Sequence, residues 1–122
     1  MHKILLIEDD DIMSRMYKKL FTYKGYDINV AENGEEGFRK AKQFKPDLIL
    51  LDVMMPKMNG FETLDKLKTE AKTKNIKVIL LSNLGLQEEL DKAIKKGAIK
   101  YVIKNENSPS EVLEIVNSFL RN

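Results

Sequence analysis

The chain has 122 residues, 43% of them hydrophobic, which fits one domain with a real core. Charged residues make up 33%, yet the net charge is only +2, so composition makes no case for nucleic acid or a membrane surface as partner. There is no cysteine, which removes disulfides and thiolate metal sites and suits a reducing, cytoplasmic setting.

The start, Met1-His2-Lys3, runs straight into a short apolar stretch followed by acids, so no signal peptide is expected. No apolar run approaches the roughly 18 residues that span a bilayer. Lys3 to Ile7 reads as a buried strand, because its apolar residues do not alternate with polar ones. Asp10 to Tyr23 has helical spacing, with Ile12, Met13, Met16, Tyr17, Leu20 and Phe21 on one face and Gly25 as a stop. Asp27 to Ala31 reads as a second, more exposed strand. Asn33 can cap a helix through Phe44, with Phe38 and Ala41 inward.

Pro46 separates that helix from the third strand, Asp47 to Leu51. Gly60 to Ala71 places Phe61, Leu64, Leu67 and Ala71 on one helical face. Ile76 to Leu81 is the fourth strand, and Leu86 to Lys96 a helix with Leu90, Ala93 and Ile94 inward and Gly97 as its stop. Ile99 to Ile103 is the fifth strand. Ser108-Pro109-Ser110-Glu111 is a capping box with proline at the first helical position. The last helix turns Val112, Ile115, Val116, Phe119 and Leu120 inward. Five strands alternating with five helices imply an α/β fold, a doubly wound five-stranded parallel sheet covered on both faces. One domain over residues 1–122, without linker, repeat or second domain, is expected.

Ligands of open α/β sheets sit at the carboxyl ends of the strands. Here that edge collects Glu8 and Asp9 after strand one, Asp52 after strand three, Ser82 after strand four and Lys104 after strand five. Each has an ordinary explanation taken alone. In the run Glu8-Asp9-Asp10-Asp11, Asp10 or Asp11 can cap the helix, since acids favour a helix N-terminus by roughly 0.3–1 kcal/mol. Asp52 could be satisfied by loop amides, Ser82 could be a turn hydroxyl, and Lys104 a surface lysine. Yet close carboxylates repel unless a cation neutralises them. Strands one and three are often neighbours, which would put Glu8, Asp9 and Asp52 together beside a Mg2+-type site. An Asp carboxylate can accept a phosphoryl group. Lys104 could then contact phosphate oxygens, and Ser82 could donate a hydrogen bond.

The motifs D-L-I-L-L-D-V-M-M-P-K-M-N-G (Asp47 to Gly60), I-L-L-I-E-D-D (Ile4 to Asp10) and G-A-I-K-Y-V-I-K (Gly97 to Lys104) resemble the response-regulator receiver domains of two-component signalling, over the whole length. The resemblance implies a flavodoxin-like strand order 2-1-3-4-5. It implies Asp52 as phosphoacceptor, Glu8 and Asp9 as the acidic pair for Mg2+, and the backbone carbonyl of Met54 as a further metal ligand. It also implies Ser82 and Lys104 at the phosphoryl group and Tyr101 as the switch aromatic whose rotamer follows phosphorylation. The partners implied are a histidine kinase or phosphotransfer protein, because His2 is misplaced to be the donor, and a downstream protein effector. A cytoplasmic monomer that is not an enzyme beyond self-phosphorylation and autodephosphorylation is expected, with dimerisation on phosphorylation left open.

Two positions depart from the family pattern. Asn105 stands where proline usually follows the lysine with a cis bond. A cis non-proline bond costs about 2.5–4 kcal/mol, so a trans Lys104–Asn105 bond with a rearranged loop is expected. Asn83 stands where a small residue usually follows the hydroxyl, and either narrows access to Asp52 or adds a hydrogen bond. These departures sustain a second reading, a phosphorylation-independent binding module. A flavin binder is disfavoured by the acids after strand one. An aspartate-nucleophile phosphatase would rest on Asp9-x-Asp11 alone, a trivial match within an acid run.

Overall fold

The protein is described from a computed structural model covering residues 1–55, 58–83 and 85–120. The elements alternate along the chain: β1 (Lys3–Ile7), α1 (Asp11–Tyr23), β2 (Asp27–Ala31), α2 (Gly34–Phe44), β3 (Leu48–Asp52), α3 (Gly60–Thr69), β4 (Lys77–Ser82), α4 (Gln87–Lys95), β5 (Lys100–Ile103) and α5 (Pro109–Leu120). The strands form one parallel sheet in the order β2-β1-β3-β4-β5. Fold and strand order are those expected. Pro56 and Lys57, part of the Asp47–Gly60 motif, lie outside the described residues.

Side-chain alternation divides the core into two layers. Leu5, Ile7, Ile49, Leu51, Val78, Leu80 and Tyr101 face α2, α3 and α4 through Ala41, Leu64, Leu67 and Ala93. Ile4, Leu6, Leu48, Leu50, Ile79, Leu81 and Val102 face α1 and α5 through Tyr17, Phe21, Val112, Leu113 and Val116. With both faces covered, the central strand β3 is buried at every position. The edge strand β2 is only partly buried, as its weak alternation suggested.

Side-chain caps set the starts of α2 and α5. Asn33 accepts from the Glu36 amide at 2.9 Å and starts α2. At α5 the capping box is reciprocal: the Glu111 amide donates to Ser108 Oγ at 3.2 Å and the Ser108 amide to Glu111 Oε1 at 2.8 Å. That backbone bond holds the Glu111 carboxyl below its ordinary range.

The helical faces are narrower than the spacing predicts. Ile12 is 73% exposed, Met16 47% and Ile94 48%. Only Ser14, Tyr17 and Phe21 of α1 are buried, with Met13 and Leu20 partly so. A helix on a flat sheet meets it along one stripe, so apolar residues at the stripe's margins stay in solvent. Ala71 is exposed and lies beyond α3, which ends at Thr69. Leu113, not among the inward residues expected on the last helix, is also buried on α5.

Candidate functional site

Strand order reverses at β1, which has β2 on one side and β3 on the other. A crevice at such a switch point is where this architecture binds ligands. The run of four acids after β1 divides by role. Asp10 is the N-cap of α1, accepting from the Ile12 and Met13 amides at 3.0 and 3.2 Å. Asp11 pairs with Arg15 at 2.9 Å on the surface. Glu8 turns into the crevice and is 2% exposed, while Asp9 sits at its rim.

Asp52 ends β3 beside them and is 4% exposed. One carboxylate oxygen from each of Glu8, Asp9 and Asp52 lies within 4.8 Å of the others, the oxygen-only donor set a hard divalent cation takes. Burial and a hydrogen bond with Glu8, reinforced by Glu8's charge, raise the Asp52 pKa to about 7. Lys104 and the Met54 amide, which donates to Asp52 Oδ1 at 3.4 Å, act in the other direction.

Lys104 reaches the cluster from the far side of the sheet. Its Nζ lies 2.6 Å from Glu8 Oε1 and 3.5 Å from Asp52 Oδ1. Desolvation pulls the Lys104 pKa down, but the Glu8 hydrogen bond and both carboxylate charges outweigh it and leave it raised. Beyond Lys104 the chain makes a 3-10 turn, Lys104–Glu106, closed by a hydrogen bond from the Asn107 side chain to the Ile103 carbonyl at 2.9 Å. The described residues contain no cis peptide, so the Lys104–Asn105 bond is trans, as expected at a non-proline position.

The loop after Asp52 is held by a close backbone contact. The Gly60 amide donates to the Val53 carbonyl at 2.9 Å. A Cβ on Gly60 would stand 2.6 Å from both the Asp52 carbonyl oxygen and Val53 Cα, so no side chain fits. Asn59 caps α3 at this point, in a reciprocal box with Glu62. The Asn59-Gly60 pair therefore seats α3 directly against the aspartate.

Ser82, fully buried, ends β4 but belongs with Tyr101 on the opposite face of the sheet from Asp52. The Tyr101 hydroxyl donates to Glu89 Oε2 on α4 at 3.2 Å. Burial raises the Tyr101 pKa, a hydrogen bond with Ser82 opposes this, and Glu89 adds to it. Asn83 is exposed just past Ser82. Glu89 is a partner that sequence reading missed. Its only local signal is an acid in a first helical turn, which dipole compensation explains equally well.

A family profile described as the response regulator receiver domain matches residues 4–117. The chain belongs to that family. This receiver domain is 37% identical over 117 residues to the chemotaxis protein CheY of Thermotoga maritima, covering 94% of each chain. It is 34% identical over 119 residues to a probable transcriptional regulator, ycf29, of Pyropia yezoensis, covering 98% of this chain and 53% of that protein. The receiver domain thus spans nearly all of the first relative and about half of the second. Among solved structures, its fold matches the CheX–CheY–BeF3–Mg2+ complex of Borrelia burgdorferi with a TM-score of 0.89 and 29% identity, over 99% of this chain and 90% of that one.

Proposed function

We propose that this receiver domain takes a phosphoryl group from a phosphohistidine onto Asp52, and that the transfer changes its affinity for a downstream protein. The observation that carries the proposal is the convergence of Glu8, Asp9, Asp52 and Lys104 in one crevice. Three ionised carboxylates against one ammonium leave a charge of −2, which one dication offsets. Three carboxylate oxygens this close are the kind of donor set that Mg2+ takes. Glu8, Asp9 and Asp52 would hold it, with the Met54 carbonyl. Bound there, Mg2+ supplies positive charge that favours ionised Asp52 and neutralises phosphoryl oxygens.

A carboxylate oxygen of Asp52 attacks phosphorus as the P–N bond of the donor breaks, and the bonding pair leaves with the imidazole nitrogen. Such transfers need positioning and charge more than covalent chemistry. Lys104 contributes a point charge to the phosphoryl oxygens, and Ser82 a hydroxyl once the group has arrived. The donor comes from a histidine kinase or phosphotransfer protein: the chain's single histidine, His2, precedes β1 at the opposite end of the sheet. Ser82 and Tyr101 would carry the change to the surface formed by α4, β5 and α5, as other local charge events bias a two-state element. No helix of the described residues is long and apolar enough to cross a membrane.

Intact mass after incubation with Mg2+ and a small acyl phosphate tests this. One phosphoryl group on the wild type and none on Asp52→Asn is the expected result. No addition, even with Mg2+ and a cognate kinase, would leave a phosphorylation-independent binding module as the better reading.

A further inference from the structure

Two unmet hydrogen-bonding capacities lie on the same face of the sheet. The first is the hydroxyl of Tyr17. This residue is fully buried, and its hydroxyl is the one buried side-chain polar atom among the described residues without a hydrogen-bond partner. The second is Lys104, whose ammonium has three donors but, among the described residues, two partners, Glu8 and Asp52.

Geometry brings them together. Asp52 follows Leu50 on β3, on the layer that α1 covers and that contains Tyr17, and Lys104 meets both Glu8 and Asp52 there. The helix α1 begins at the crevice, and Tyr17 lies six residues along it, about 9 Å down the axis. Helical side chains lean back toward the helix N-terminus, so the phenol reaches up toward the crevice floor. Electrostatics agrees: burial raises the Tyr17 pKa, Lys104 pulls it down, and Glu8 and Asp52 push it up, so the charges of all three groups reach the hydroxyl.

We propose that Tyr17 is a positioning residue for Lys104, its hydroxyl accepting a hydrogen bond from the ammonium when Asp52 carries a phosphoryl group. Phosphorylation removes the charge from the carboxylate oxygen that Lys104 faces and places new acceptors above it. The ammonium then re-aims, and a fixed oxygen beneath it limits where it goes. A phenylalanine would fill the same core position without desolvating a hydroxyl. The inference rests on Asp52 being the phosphoacceptor.

The test uses Tyr17→Phe, Lys104→Gln and the double variant, with Tyr17→Leu as a second hydroxyl-free protein. Phosphorylation by a small acyl phosphate is followed by intact mass, and melting is measured without ligand and with Mg2+ and beryllium fluoride. Without ligand, Tyr17→Phe should melt at or above the wild type. Its rate should fall about tenfold, the loss of one hydrogen bond to a charged group, with the half-saturating donor concentration unchanged. Its upward shift in melting with beryllium fluoride should shrink. In the Lys104→Gln background, Tyr17→Phe should have no further effect. An unchanged rate, or the same loss in both backgrounds, would overturn the role of Tyr17 while leaving Asp52 as phosphoacceptor. A wild type that takes up no phosphoryl group would overturn both.

Discussion

Lys104 and Glu8 form a 2.6 Å ion pair across the full width of the crevice. Their strands β5 and β1 are not neighbours, because β3 and β4 lie between them. At about 4.8 Å per strand the two backbones are some 14 Å apart, and the long lysine side chain closes the gap. Side-chain exposures of 9% and 1% make this a buried pair. It holds together the two ends of the site.

Removing one partner of a buried pair leaves the other charge uncompensated. Lys104→Met should therefore lower the unfolding free energy in EDTA by about 3 kcal/mol, read from urea denaturation. Mg2+ should recover part of the loss. The variant should also bind Mg2+ more tightly than the wild type, since the ammonium no longer competes for Glu8. Weaker Mg2+ binding in titration calorimetry would count against that competition.

Asp52 makes metal-free stability depend on pH. Its folded pKa, about 7, lies above its ordinary value of 3.8. The folded state therefore binds this proton more tightly than the unfolded state does. The contribution to stability is fully present below about pH 3.8 and is lost as pH rises through about 7. Thermal melts in EDTA should show Asp52→Asn gaining on the wild type between pH 4 and pH 8, by on the order of 2–4 kcal/mol. A constant difference across that range would refute the sign.

Gly60→Ala should cost about 1–3 kcal/mol by forcing the backbone off Asp52 and Val53. Gly25 is the useful control, having a positive φ of 94° and nothing within 4 Å of the place its Cβ would take. Gly25→Ala should cost about 1–2 kcal/mol through its left-handed backbone alone, and only Gly60→Ala should slow phosphorylation.

The Tyr101–Glu89 bond predicts a shift in one titration. Burial is the larger cause of the raised Tyr101 pKa, and Glu89 adds to it. Glu89→Gln keeps a hydrogen-bond acceptor but removes the charge, so the Tyr101 pKa should move down toward its ordinary value. Carbon-13 tyrosine NMR would follow it separately from Tyr17, Tyr23 and Tyr26.

Much of this protein was legible in the chain. The buried run Leu48-Ile49-Leu50-Leu51, the Asn33 cap and the Ser108–Glu111 box report on residues a few positions apart, and local physics decides them. Those elements in alternation imply a parallel sheet, and the sheet delivers Glu8, Asp9, Asp52 and Lys104 to one edge. Tertiary packing decided the rest. Ile12, Met16 and Ile94 have the right helical spacing for burial and remain exposed, because the sheet meets only a stripe of each helix. Glu8 and Lys104 stand 96 positions apart, and nothing local to either marks it as the other's partner. The same holds for Tyr101 with Glu89 and for the hydroxyl of Tyr17. Periodicity and caps are short-range signals. Which charge meets which, and which hydroxyl is left without a partner, depends on where the crossovers bring distant segments together.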